Sequence, residues 1–131
     1  MSRARVLVIE DDVDVAATLL EQLAGRDHEV LTVTTAEEGL DIIDAFRPDV
    51  LLLDTTLPGL SGPSLLPVFG RLHPGMPIIV LTASVDPRVL AQIEGHKPFR
   101  LVHKPYDIDA LDRLVAAAAD ESRARAGRAL R

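Results

Sequence analysis

Val50-Leu-Leu-Leu-Asp-Thr-Thr-Leu-Pro-Gly59 carries one acid, Asp54, directly after four consecutive apolar residues, and Pro58-Gly59 turns the chain just beyond it. An uninterrupted aliphatic run closed by a Pro-Gly turn predicts a strand covered on both faces, as in a parallel sheet. Asp54 then emerges at the strand's carboxyl end, the edge where open α/β sheets hold their ligands. An acid at a strand end is, taken alone, more often a helix cap or a solvated residue. The rest of the chain has to decide.

Its 131 residues with 47% hydrophobic content suffice for one well-buried domain and fall short of two. A net charge of −6 and a pI near 5.1 argue against a surface built to neutralise phosphates, so no direct nucleic-acid contact is expected. Aromatic residues, at 3%, offer no stacking platform for bases. Without cysteine there is no disulfide, thiolate zinc site or thiol nucleophile, which suits a cytoplasmic location. The amino-terminal apolar run is followed at once by acids, unlike a secretory signal, and no stretch reaches membrane-spanning length.

Along the chain, Val6-Leu7-Val8-Ile9 is a second apolar run, ending in Glu10-Asp11-Asp12. A helix follows with Val15, Ala16, Leu19, Leu20 and Leu23 on its inner face and Gly25 at its end. His28 to Val33 reads as a shorter strand, and Thr35 with Glu38 has the form of a capping box opening a helix that buries Ala36, Leu40 and Ile43 and stops before Pro48. Beyond Gly59, Ser61 or Gly62 starts a helix with Leu65, Phe69 and Leu72 inward, which Pro67 is expected to bend or shorten. Pro77 to Leu81 is a strand ending in Thr82-Ala83-Ser84, and Asp86-Pro87 caps a helix over Val89, Leu90 and Ile93, closed near Gly95. Phe99 to His103 is a weaker fifth strand ending in Lys104-Pro105, and Asp107 caps a last helix with Leu111, Leu114, Val115 and Ala118 inward. Five alternating pairs predict an α/β domain over residues 4–120, with a parallel sheet and helices on both faces. Residues 121–131, rich in Ala and Arg, are expected to be a helix extension or disordered. His28, His73, His96 and His103 show no ligand spacing and are expected at the surface or in loops.

Each strongly apolar strand ends in a different polar group: Glu10 and Asp11, Asp54, Thr82, and Lys104. In a parallel sheet those ends share one edge and can meet in a single cleft. Three carboxylates there repel, at about 4 kcal/mol per pair for 4 Å and an effective dielectric near 20. Lys104 offsets part of this, and a hard divalent ion on oxygen ligands, Mg²⁺ best of all, would offset the rest. A metal between carboxylates, an ammonium and a hydroxyl is the equipment of phosphoryl transfer to a carboxylate nucleophile. The competing reading treats the acids and Thr82 as helix caps and Lys104 as a surface ion pair. It suits any one of these residues but not all of them at four strand ends.

Glu10-Asp11 after the first strand, Asp54 followed by Leu57-Pro58-Gly59, Thr82-Ala83, and Lys104-Pro105, in this order and spacing, resemble the response-regulator receiver (CheY-like) domains of two-component signalling. The resemblance spans roughly residues 4 to 120. It implies a flavodoxin-like, five-stranded parallel sheet of order 2-1-3-4-5, and a phosphoryl group passed from a phosphohistidine to Asp54. It further implies that Asp11 binds Mg²⁺ directly, Glu10 acts through a water, and the Thr56 carbonyl joins them. Thr82 and Lys104 would hold phosphate oxygens, and the Lys104-Pro105 bond would be cis. Thr56 and Ser84 occupy the positions flanking the acyl phosphate that influence its lifetime. Leu101 departs from the family: it stands where a switching Tyr or Phe is usual, so coupling through an aromatic rotamer is not expected here.

The partners so implied are a histidine kinase or phosphotransfer protein and a downstream protein reached by direct contact, with this chain a monomer or weak dimer. No turnover enzyme is expected: an aspartate-nucleophile phosphohydrolase usually carries a second acid two residues after the nucleophile, where Thr56 stands. An unphosphorylated scaffold that kept the fold is the other alternative, disfavoured by the complete acid set.

Overall fold

The computed structural model describes residues 3–55 and 62–129. Five strands, β1 (Arg5–Ile9), β2 (Glu29–Val33), β3 (Val50–Asp54), β4 (Ile78–Thr82) and β5 (Arg100–His103), form one parallel sheet of order β2-β1-β3-β4-β5. They alternate with α1 (Val13–Ala24), α2 (Ala36–Phe46), α3 (Gly62–Leu72), α4 (Pro87–Gly95) and α5 (Ile108–Ala129). Alternation along the central strands sorts their side chains into two cores. Leu7, Ile9, Leu51, Leu53 and Val80 pack with Ala36 and Ile43 of α2, Leu65 and Phe69 of α3, and Ile93 of α4. Val6, Val8, Val50, Leu52, Ile79 and Leu81 pack with Leu19 and Leu23 of α1 and Leu111, Val115 and Ala118 of α5. The two-faced burial that makes β3 a continuous apolar run is therefore real, and it leaves polar residues no place but the strand ends.

Local sequence accounts for most helix boundaries. Asp12 caps α1 by accepting from the Asp14 and Val15 amides at 2.9 and 3.1 Å, so the third acid of the Glu10-Asp11-Asp12 run is spent on a helix end. Thr35 caps α2 through the Glu38 amide, while the Glu38 carboxylate accepts from the Thr34 and Thr35 hydroxyls. Asp86 caps α4 with Pro87 in its first turn. The Asp107 carboxylate accepts from the Asp109 amide at the start of α5. α3 runs on past Pro67 to Leu72, and α5 reaches Ala129, with Arg123 donating to the Arg3 carbonyl and to Asp49.

Two expectations are corrected. Leu20 and Leu72, assigned to inner faces, are exposed at 37% and 57%: Leu19 and Leu23 point α1 at the sheet, and Leu65, Leu66 and Phe69 are the buried residues among those described in α3. Gly25 ends α1 as expected, in a right-handed conformation, and Asp27 two residues on takes the left-handed one at φ 68°. His28 lies in the loop just before β2, as expected, but it is buried rather than at the surface: its Nδ1 accepts from the Ala4 amide at 3.0 Å and its Nε2 meets Asp112 Oδ1 on α5 at 2.6 Å. An amide can only donate, so Nδ1 carries no proton and Nε2 donates to Asp112.

This pair ties β1, β2 and α5 together. Replacing His28 with Leu, of similar volume, leaves the buried Ala4 amide without its acceptor, while Asp112 keeps Arg26, and should cost about 1–3 kcal/mol in urea unfolding. Leu72→Ala at an exposed position should stay within about 0.5 kcal/mol of the parent. Equal effects from the two would refute the assignment.

Candidate functional site

Because all five strands run the same way, their carboxyl ends form one rim. Glu10 follows β1, Asp54 closes β3, Thr82 closes β4, and Lys104 follows β5. Backbone bonds extend the ladder to these positions: the Glu10 amide donates to the Val33 carbonyl at 3.0 Å, and the Lys104 amide to the Thr82 carbonyl at 2.8 Å. The Lys104-Pro105 bond is cis.

The charged side chains do meet. Lys104 Nζ donates to Asp54 Oδ2 at 2.6 Å and to Glu10 Oε1 at 3.3 Å. Glu10, Asp11 and Asp54 each bring a carboxylate oxygen to within 4.8 Å of the others. Asp54 and Glu10 are 1% and 2% exposed, so their repulsion is poorly screened by water, whereas Asp11 remains accessible to solvent. Burial first, then a hydrogen bond and repulsion from Asp54, push the Glu10 carboxyl up to about 7. Burial opposes the Lys104 charge, but the Asp54 and Glu10 carboxylates outweigh it and hold the ammonium above the ordinary lysine range. Burial also raises the Tyr106 phenol beside them. One ammonium facing this acid group leaves negative charge over, and an all-oxygen donor set of that spacing fits a hard divalent cation.

The hydroxyl end is organised separately. Thr82 is fully buried, and its Oγ1 accepts both from the Ser84 amide and from the Thr55 hydroxyl, each at 3.0 Å. Ser84 in turn accepts from the Asp86 amide at 3.2 Å, and Asp86 caps α4, so a line of hydrogen bonds joins the end of β4 to the start of that helix. Leu101 lies across from Val80, half-buried against the core that includes Ile93 of α4. Thr56 lies outside the described residues. Thr55 was missed in the sequence, where it is only a polar residue beside the acid. What makes it notable is its position across from Thr82, which depends on strand register.

The model of the response regulator receiver domain family matches residues 6–116. The chain is 36% identical over 121 residues to the DNA-binding transcriptional regulator NtrC of Escherichia coli K12, covering 90% of this chain and 25% of that protein. The chain thus spans about a quarter of the length of this relative. A CheY-like receiver domain protein of Methanospirillum hungatei superposes with a TM-score of 0.86 at 26% identity, over 95% of this chain and 99% of that one. NtrX of Brucella abortus, solved with ATP, superposes with a TM-score of 0.87 at 24% identity over 98% of this chain and 29% of its own, a likeness of fold.

Glu10 makes stability depend on pH in metal-free buffer. Its carboxyl titrates at about 7 in the fold against 4.5 ordinarily, so between those values the folded chain binds the extra proton. Stability contributed by the protonated acid is complete below about 4.5 and is lost as pH rises through about 7. Urea midpoints taken with a chelator should fall over that window, and Glu10→Gln should flatten the fall. An unchanged slope in the variant would contradict the assignment.

Proposed function

The chain belongs to the response regulator receiver domain family, and from that premise we propose that Asp54 accepts a phosphoryl group from a phosphohistidine presented by a histidine kinase or phosphotransfer protein. The observation that supports this most directly is the Lys104 ammonium seated on the Asp54 carboxylate beside a second buried acid. An Asp54 carboxylate oxygen forms a bond to phosphorus as the phosphorus–nitrogen bond to the donor imidazole breaks, and the imidazole leaves with the bond's electron pair and is protonated by solvent. Lys104, already held between Asp54 and Glu10, is positioned to pair with a phosphoryl oxygen, and Thr82 to donate a hydrogen bond to another. Asp11 and Asp54, with Glu10 acting through water and the Thr56 carbonyl, would hold Mg²⁺, whose chemistry here is to neutralise charge on the transferred group. By their positions in the sequence, Thr56 and Ser84 are the residues that would influence the lifetime of the product.

The acyl phosphate adds up to about two negative charges at the rim. Thr82 is drawn toward it, and because Thr82, Ser84 and Asp86 are joined in series, the loop from Ala83 to Asp86 and the start of α4 follow. The altered surface of α4 and α5 then changes its preference for a downstream protein, in the cytoplasm, with the chain a monomer or weak dimer. Leu101 takes part as packing rather than as a swinging aromatic ring. The only reaction catalysed is the domain's own phosphorylation and dephosphorylation. Among the described residues no helix is long and apolar enough to cross a membrane.

A small acyl-phosphate donor with Mg²⁺ should label the wild type on Asp54, and labelling that persists in Asp54→Ala would exclude this acceptor. Mg²⁺ should raise the melting temperature, and Asp11→Asn should abolish the rise. Because Glu10 must lose its proton for the carboxylates to hold the ion, apparent Mg²⁺ affinity should strengthen from pH 6 to pH 8. No melting shift in the wild type, or affinity independent of pH, would count against the metal site.

A further inference from the structure

β3 and β4 pair in register, Asp54 across from Leu81, and the Thr55 amide continues the ladder by donating to the Leu81 carbonyl at 3.2 Å. One step further along both strands, Thr55 stands across from Thr82. Side chains alternate between sheet faces, so these two threonines project to one side, and Asp54 with Leu81 to the other. Leu81 belongs to the core under α1 and α5, and Leu53 and Val80, each one residue before the Asp54–Leu81 pair, belong to the core under α2, α3 and α4. Thr55 is buried, 8% exposed as a residue, and its hydroxyl donates to Thr82 Oγ1 at 3.0 Å on the face opposite the acid cleft.

We propose that Thr55 is a positioning residue: its hydroxyl latches Thr82 in the resting arrangement, and the latch must open before Thr82 can donate to a phosphoryl oxygen. This rests on the reading of Asp54 as the acceptor and adds the element that sets how readily the domain switches. In the resting chain Thr82 Oγ1 accepts two hydrogen bonds, from Thr55 and from the Ser84 amide. Turning toward a phosphoryl group leaves the nearly buried Thr55 hydroxyl without its acceptor, a cost borne only by the switched state. Removing that hydroxyl therefore favours switching.

The probe is beryllofluoride with Mg²⁺, a phosphoryl mimic, titrated while the amide resonance of Ser84 reports whether its bond to Thr82 is kept. Thr55→Val keeps the shape and removes the donor, and it should tighten the beryllofluoride midpoint about twofold to tenfold, the range of one net hydrogen bond. Thr55→Ser should restore the wild-type midpoint, a rescue that a purely packing role would not produce. In a Thr82→Ala background, Thr55→Val should leave the midpoint where Thr82→Ala alone puts it. Thr55→Ala provides a second truncation with the same expected direction. A wild-type midpoint in Thr55→Val and Thr55→Ala, or equal tightening with and without the Thr82 hydroxyl, would overturn the latch while leaving Asp54 as acceptor. Wild-type protein that does not bind the mimic, or binds it equally in Asp54→Asn, would overturn the acceptor assignment and the latch with it.

Discussion

The Lys104 ammonium, 2.6 Å from Asp54 and 3.3 Å from Glu10, is the contact on which the site depends. Two carboxylates as deeply buried as these are tolerable side by side only where a positive charge, a shared proton or a metal stands against their repulsion. The chain uses the first two: Lys104 stays charged because the acids hold it so, and Glu10 keeps a proton to about neutral pH because it lies buried beside Asp54. The resting domain is thus held short of positive charge. A cation and a phosphoryl group together would supply the missing balance, since the metal's charge answers the acids and the phosphoryl oxygens answer the lysine.

The same sheet that gathers the acids separates them from the Thr55–Thr82 pair. Strand alternation puts Asp54 over the α1 and α5 core, whereas Thr55 and Thr82 lie toward the core of α2, α3 and α4. Thr82 sits at the end of β4 with hydrogen bonds reaching both β3 and the loop to α4. A hydroxyl suits this place because it can exchange one partner for another at the cost of about one net hydrogen bond. Leu101, apolar and half-buried on the neighbouring strand, packs against the core that includes Ile93 of α4.

The fold was legible because its signals are local. Continuous aliphatic runs named the buried strands, and Asp12, Thr35 and Asp86 marked helix starts through hydrogen bonds to their own neighbours. The errors fell where periodicity is ambiguous. A helix with an apolar residue at nearly every inner and flanking position does not say whether Leu19 or Leu20 faces the sheet; the sheet decides. His28 was misjudged for a similar reason, since a lone histidine before a strand gives no hint that Ala4 and Asp112, distant in sequence, will close around it.

The sequence by itself determined which groups stand at the strand ends, because apolar runs broken by single polar residues leave those residues no other exit from a sheet buried on both faces. From the order of those groups alone, Glu10, Asp11, Asp54, Thr82 and Lys104 were brought to one rim. Tertiary structure decided how they share it: that Glu10 is buried beside Asp54 and its carboxyl raised, which carboxylate oxygen the lysine takes, and that Thr82 bonds to Thr55. Those outcomes depend on register, on distances of a few ångströms and on exclusion of water, all of which arise between segments far apart in the chain and so leave no mark on the residues of any one of them.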